Sequence, residues 1–146
     1  VNLNGYSIEI YHNGNTSASN PITLPNILLA SGDVFVECHS GAGAAIQTYC
    51  DLSLSEINFN GNDTVVLKHG TTIIDVIGRI GEDPGTPSNA EWGTGLTSTK
   101  DNTLVRKCSI SQGDNNSSDP FDPAIEWNGY AEDTFIYLGS HTYPCP

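Results

Sequence analysis

Apolar and polar residues alternate along much of this chain with a period of two, which is typical of a β-strand because successive side chains point to opposite faces. The alternation is clearest at residues 6–11. Residues 63–68 and 72–78 are two further runs rich in β-branched side chains. Gly70 lies between them and can take the left-handed conformation that a tight turn needs. These runs predict a first strand and a β-hairpin.

Further strands are predicted before and after that hairpin. Residues 27–29 lead through a polar turn into residues 34–38, and residues 103–108 form a later run. Within residues 34–38 the alternation places Phe35 and Glu37 on one face and the other three side chains on the opposite face.

Helical patterning is almost absent. One short helical turn is predicted at residues 42–48, and residues 80–103 and 111–123 are polar and loop-like. Many short strands separated by polar turns are typical of a sandwich or barrel. We therefore predict an all-β protein with one short helical turn and long polar loops, folded as a single domain over residues 1–146.

The chain carries 17 acidic and 5 basic residues, for a formal net charge of -12. Sequence-independent binding of nucleic acid needs a cationic surface, so direct nucleic-acid binding is not expected. Docking on anionic lipid is disfavoured for the same reason. No apolar run approaches the roughly 20 residues of a membrane-spanning helix, so membrane insertion is not expected either.

Four cysteines constrain the chain further: Cys38, Cys50, Cys108 and Cys145. No C-x-x-C pair is present, and an even number of cysteines in an acidic, polar chain indicates two disulfides and an oxidising compartment. Three pairings are possible. We favour Cys38–Cys50, which closes a short loop, and Cys108–Cys145, which anchors the C-terminal segment. The alternative is four buried free thiols.

The sequence shows no catalytic constellation. The histidines are His12, His39, His69 and His141, and single histidines in turns are more often solvated than catalytic. The G-x-S-x-G motif of a nucleophile elbow is absent. We therefore predict that the chain is not an enzyme and requires no cofactor.

Calcium is the one candidate ligand ion. Residues 114–122 crowd together side chains with oxygen atoms, and the candidate ligands are Asp114, Asn116, Ser118, Asp119 and Asp122. The spacing of the first three resembles the start of a calcium loop. Asp119, however, occupies the position of the EF-hand glycine, and Ile125 occupies that of the last ligand. The alternative is a surface loop rich in Asx turns.

Three aromatic residues are candidates for partner binding: Trp92, Trp127 and Tyr130. Trp92 lies in a glycine-rich loop, and Trp127 and Tyr130 flank Asn128-Gly129. An aromatic ring on a loop can stack on a sugar or a base or anchor a protein. The alternative is that each covers one end of the core.

An ordered series of motifs runs nearly end to end: LNGYSIEIY (3–11), LASGDVFV (29–36), FNGNDTVVL (59–67), IDVIG (74–78), EWG (91–93), DNTLVRK (101–107) and GSHT (139–142). In this order the motifs resemble a bacterial lamin tail domain, of the kind found at the front of large secreted nucleases. The resemblance implies an immunoglobulin-like β-sandwich in a secreted or cell-surface bacterial protein.

The chain departs from that family in two ways. The sequence starts at Val1, directly before the LNGYSIEIY segment and without the family's usual first strand, and residues 1–146 do not include the nuclease domain that often follows. We expect a non-catalytic extracellular module that tethers, positions or binds protein partners. The candidate partners are its own parent enzyme, a surface component or identical subunits. One alternative is a structural subunit of an extracellular filament, assembled by strand complementation between neighbours. A further alternative is a calcium-dependent binding domain.

Overall fold

Strands dominate the regular structure in the computed structural model, which describes residues 1–86 and 88–146. The strands are β1 (Tyr6–Tyr11), β2 (Ile22–Thr23), β3 (Glu37–His39), β4 (Leu52–Leu54), β5 (Thr64–His69), β6 (Thr72–Ile77), β7 (Gly93–Thr94), β8 (Thr97–Ser98), β9 (Asn102–Arg106) and β10 (Trp127–Ala131). The helices are α1 (Ala44–Gln47) and α2 (Pro123–Glu126). The prediction of an all-β chain with little helix is confirmed.

The largest sheet contains four antiparallel strands in the order β2-β1-β5-β6. Its centre is the predicted first strand paired with the predicted hairpin, and both predictions are confirmed. Gly70 has a φ of 59° in the turn, as the hairpin requires. A register shift between Leu67 and Lys68 introduces an irregularity between β5 and β6.

The two faces of this sheet are packed differently. On one face Tyr11, Val66 and Val76 form a buried cluster. On the other face Ile8 and Leu67 lie opposite each other in register and border a cavity. The strands are therefore apolar on both faces. A cavity remains beside part of the second face, although Ile10 on that face is fully buried.

Three two-stranded sheets complete the strand pairing of the described residues. The pairs β9–β10 and β7–β8 are antiparallel, and β3–β4 is parallel. The strand predicted at residues 103–108 is present as β9, but it ends at Arg106. The parallel pair needs a crossover, and α1 lies in it, inside the helical turn predicted at residues 42–48.

Two local predictions need correction. The strand predicted at residues 34–38 begins only at Glu37, because the segment before β4 provides the hydrogen bonds of Val36. The N–H of Val36 donates to Asp51 Oδ2 (2.8 Å), and its carbonyl accepts from the N–H groups of Asp51 (2.9 Å) and Leu52 (3.1 Å). Helix α2 was not expected from the pattern, and its N-terminus is capped by Asp122, which accepts from the N–H of Ala124 (2.9 Å).

The two disulfides are Cys38–Cys50 and Cys108–Cys145, so the favoured pairing is confirmed. Both are typical of an oxidising, extracellular compartment. No helix among the described residues is both long and apolar enough to cross a bilayer.

Candidate functional site

A cavity of about 440 Å³ lies against the face of the four-stranded sheet that carries Ile8 and Leu67. The sheet contributes aliphatic side chains, among them Ile8, Leu67 and Ile77. The segment between β2 and β5 contributes Phe35 and Phe59 from the other side. Ligand pockets are typically concave, mostly apolar and about 300–1,000 Å³ in volume, so this cavity has the size and lining of a small-molecule site.

One acidic side chain interrupts the apolar wall of this cavity. Both carboxylate oxygens of Glu37 are buried, and neither has a hydrogen-bond partner among the described residues. Burial, with no charged group contributing, raises the pKa of Glu37 to about 7. A buried carboxyl without a partner destabilises the fold, and such groups occur preferentially at functional sites.

The position of Glu37 is fixed by its neighbours along β3. It pairs with Leu52 of β4, and the next residue, Cys38, is bonded to Cys50. The backbone of Val36 is held by the hydrogen bonds from the segment preceding β4. The strand is therefore anchored immediately before and after Glu37.

A second cavity of about 630 Å³ also borders Glu37. Strand β9 and the segment containing Phe135 and Leu138 form much of its wall. Arg106 and Trp127 line it as well, and Arg106 Nε and Trp127 Nε1 are buried without hydrogen-bond partners among the described residues. Glu37 thus lies at the boundary between two cavities.

Arg106 does not neutralise Glu37, because its guanidinium binds other groups. Its Nη2 lies 2.8 Å from Asp75 Oδ1 and 3.6 Å from Glu126 Oε2, and its Cζ lies 4.5 Å from the centre of the Trp127 ring. Asp75 also borders the first cavity, but unlike Glu37 it has a cationic partner.

The aromatic residues predicted to bind a partner lie in three different environments. Trp92 is only 4% exposed and packs edge-to-face on Phe121, with ring centres 5.9 Å apart. Its ring also lies over Gly78, where an added Cβ would come within 2.8 Å of it. Trp92 is therefore part of the core, as the alternative interpretation holds.

Trp127 and Tyr130 lie on β10 and are half-buried. Trp127 lies beneath the Arg106 guanidinium, and the Tyr130 ring is 4.6 Å from that of Tyr137. Only Trp127 borders the second cavity. The structure does not bring the three predicted aromatics into one site.

The residues of the predicted calcium loop make local hydrogen bonds. Asp114 Oδ1 accepts from the N–H of Asn116 (2.9 Å), and Asn116 Oδ1 accepts from the N–H (3.2 Å) and hydroxyl (2.8 Å) of Ser118. Asp122 caps α2, while Asp119 is exposed. Among residues 1–86 and 88–146 no group of three or more His, Cys, Asp or Glu side chains is arranged to hold a metal ion.

Sequence reasoning did not select Glu37 as a site residue, although a signal was present. The alternation correctly placed Phe35 and Glu37 on one face, and both border the first cavity. A single acidic residue among Val, Phe, Val and Cys indicates a carboxyl directed at an apolar surface.

Comparison of the chain with protein-family models, with curated proteins and with solved structures finds no match.

Proposed function

We propose that this protein is a non-catalytic extracellular binding module, built as an immunoglobulin-like β-sandwich of the lamin tail type, and that the cavity bordered by Glu37 holds an apolar small molecule. The ordered motif series supports the family, and the two disulfides support the extracellular setting. The single observation that carries the binding function is the 440 Å³ apolar cavity with one unpartnered carboxyl in its wall.

Assembly through strand complementation has less support, because both edges of the four-stranded sheet are poorly suited to it. Strand β2 is only two residues long. Beside β6, Asp75 Oδ1 accepts from the N–H of Asp114 (2.8 Å), and Ile80 just beyond the strand donates its N–H to the carbonyl of Ser117 (3.0 Å). Short or covered edges are a common protection against pairing with another chain.

Titration of the isotope-labelled protein with 1-octanol, followed by methyl NMR, tests the binding function. We expect saturable shifts and probe contacts at the methyl groups of Ile8, Leu67 and Ile77, which border the cavity. Val66 belongs to the buried cluster on the opposite face and does not border the cavity, so it is the internal reference. Absence of shifts, or equal shifts on both faces, would overturn the proposal.

A blocking variant provides a second test. Val65 borders the cavity, so Val65→Phe should fill part of it and abolish the octanol shifts. Val1→Phe is the matched control, because Val1 is 63% exposed and lies outside the cavity. The module should also leave plasmid DNA intact, and DNA cleavage by the purified chain would refute a non-catalytic role.

A further inference from the structure

We propose, building on the proposed function, that the ligand of this cavity is an apolar amine. Its ammonium group pairs with the Glu37 carboxylate after that side chain turns toward the cavity, and its hydrocarbon part occupies the cavity. The inference rests on the juxtaposition of an unpartnered acidic group with an aliphatic and aromatic wall. A molecule with one cationic end and one apolar part complements both features.

No lysine or arginine among the described residues pairs with Glu37. Lys68 Nζ lies 2.6 Å from Glu9, Arg79 Nη1 lies 3.2 Å from Glu82, and Arg106 is bound by Asp75. The ammonium of Lys107 donates to two carbonyls next to α2. Lys100 borders a separate cavity, and these five residues are all the lysines and arginines of the chain.

The charge of the site selects a cation over an anion. Glu37 and Asp75 are the two charged groups that border the first cavity, and both are acidic. The whole chain has a formal net charge of -12, which attracts cations and repels anions over long range. A fatty carboxylate would bring a second negative charge next to a buried carboxyl, which is strongly unfavourable.

An ion pair between the ligand ammonium and the Glu37 carboxylate predicts how ligand affinity depends on pH. Burial raises the pKa of Glu37 to about 7, whereas a primary alkylamine stays protonated as lysine does, up to about pH 10. Binding therefore requires loss of the Glu37 proton below pH 7. The affinity should rise by about tenfold per pH unit up to pH 7 and then level off.

Other titratable or charged groups lie on the elements around Glu37: His39, Asp51, Asp75, Arg106 and His141. Asp51 accepts from the N–H of Val36, and His39 accepts from the N–H of Gly41. None of them contributes to the pKa shift of Glu37, which arises from burial alone.

The experiment compares 1-octylamine with 1-octanol, both below their micelle-forming concentrations, by calorimetry and methyl NMR at pH 6 and pH 8. On the unmodified protein at pH 8 we expect octylamine to bind about tenfold tighter than octanol, as a charge-assisted contact would provide. At pH 6 this advantage should shrink. Glu37→Gln should remove it, while Glu132→Gln, the same change at an exposed site, should preserve it.

Equal binding of the two probes at pH 8 would overturn the amine inference and leave the proposed function standing. Failure of both probes to bind would overturn both. Tighter binding of octanoate than of octylamine would also overturn the inference. The Glu37 side-chain pKa, followed by carbon-13 NMR of the unmodified protein, should fall on adding octylamine, and this readout does not depend on the folding of a variant.

Discussion

Two acidic residues of this protein have buried carboxylates in opposite environments. Asp63 is 5% exposed, and its carboxylate accepts from the N–H groups of Asn13 (2.8 Å) and Asn60 (2.9 Å) and from His12 Nδ1 (3.1 Å). The buried carboxylate of Glu37 accepts from no described group. The Asp63 carboxylate stabilises the fold by connecting loops, whereas the unpartnered Glu37 carboxylate destabilises it. Only Glu37 therefore has unused hydrogen-bonding capacity for a ligand.

The polar cluster around Asp63 extends beyond that residue. The side-chain amide of the adjacent Asn62 donates to Asn13 Oδ1 (3.1 Å) and to Asp83 Oδ1 (2.7 Å). Three loops that are distant in sequence therefore meet at residues 62–63. Such a network is stabilising when its polar groups are satisfied, which makes it a structural feature.

The largest effect should come from removing the disulfide next to Glu37. Replacing Cys38 and Cys50 together by alanine should lower the free energy of unfolding by about 3 kcal/mol, because a short loop is released in the unfolded chain. Urea denaturation measures the loss. If β3 loosens as expected, the Glu37 pKa should return toward ordinary values, while amide exchange at Asn13 and Asn60 stays slow. Loss of protection at both places would show that the two regions are not independent.

Removing the satisfied carboxylate should have the next largest effect. Asp63→Ala leaves the N–H groups of Asn13 and Asn60 without their acceptor, and we expect a loss of about 2–3 kcal/mol by urea denaturation. Asp119→Ala is the control, because Asp119 is exposed, and it should change stability by less than about 0.5 kcal/mol. Equal effects of the two substitutions would contradict the structural role of Asp63.

Replacing the unpartnered carboxyl should change the pH dependence of stability. The folded-state pKa of Glu37 is about 7 and its ordinary value is 4.5, so between these pH values the unfolded chain releases a proton that the folded chain retains. This group therefore contributes stability below pH 4.5 that is lost as pH rises to 7, with a slope of at most about 1.4 kcal/mol per pH unit.

Glu37→Gln should remove that contribution, so the variant should gain stability relative to the unmodified protein as pH rises from 4.5 to 7. Urea denaturation at pH 4.5, 6, 7 and 8 measures the difference. Glu132→Gln removes one negative charge at an exposed position, and its stability should depend on pH in the same way as that of the unmodified protein. Parallel curves for Glu37→Gln as well would mean that the buried carboxyl titrates normally.

The sequence could predict those parts of the fold whose signal is local. Strand β1 and the β5–β6 hairpin have strict alternation and a glycine at the turn, and Cys38–Cys50 closes a short loop. The start of β3 could not be predicted, because it depends on hydrogen bonds from Asp51, fifteen residues later. Helix α2 has four residues, too few to show a helical period.

The candidate site was less accessible to sequence reasoning than the fold. Asp63 lies in a run of Asn, Gly and Asp that is typical of an exposed turn, and its burial depends on loops near residues 13 and 83. Glu37 can be recognised as a site residue only when the residues on the opposite wall of the cavity are known. Both acidic residues are distinguished by which distant groups face them, and periodicity does not encode that information.

The smallest effect should come from an acidic residue that is neither buried nor alone. Glu82 Oε2 lies 3.2 Å from Arg79 Nη1, and both side chains are about two-fifths exposed. Water screens such a pair, so Glu82→Gln should change the free energy of unfolding by about 0.5 kcal/mol or less, with no dependence on pH between 6 and 8. Urea denaturation at low and high salt checks this, and a loss as large as that of Asp63→Ala would contradict it. A small change in the free energy of unfolding would show that burial and the number of hydrogen-bond donors decide how much an acidic residue contributes to the stability of this very acidic chain.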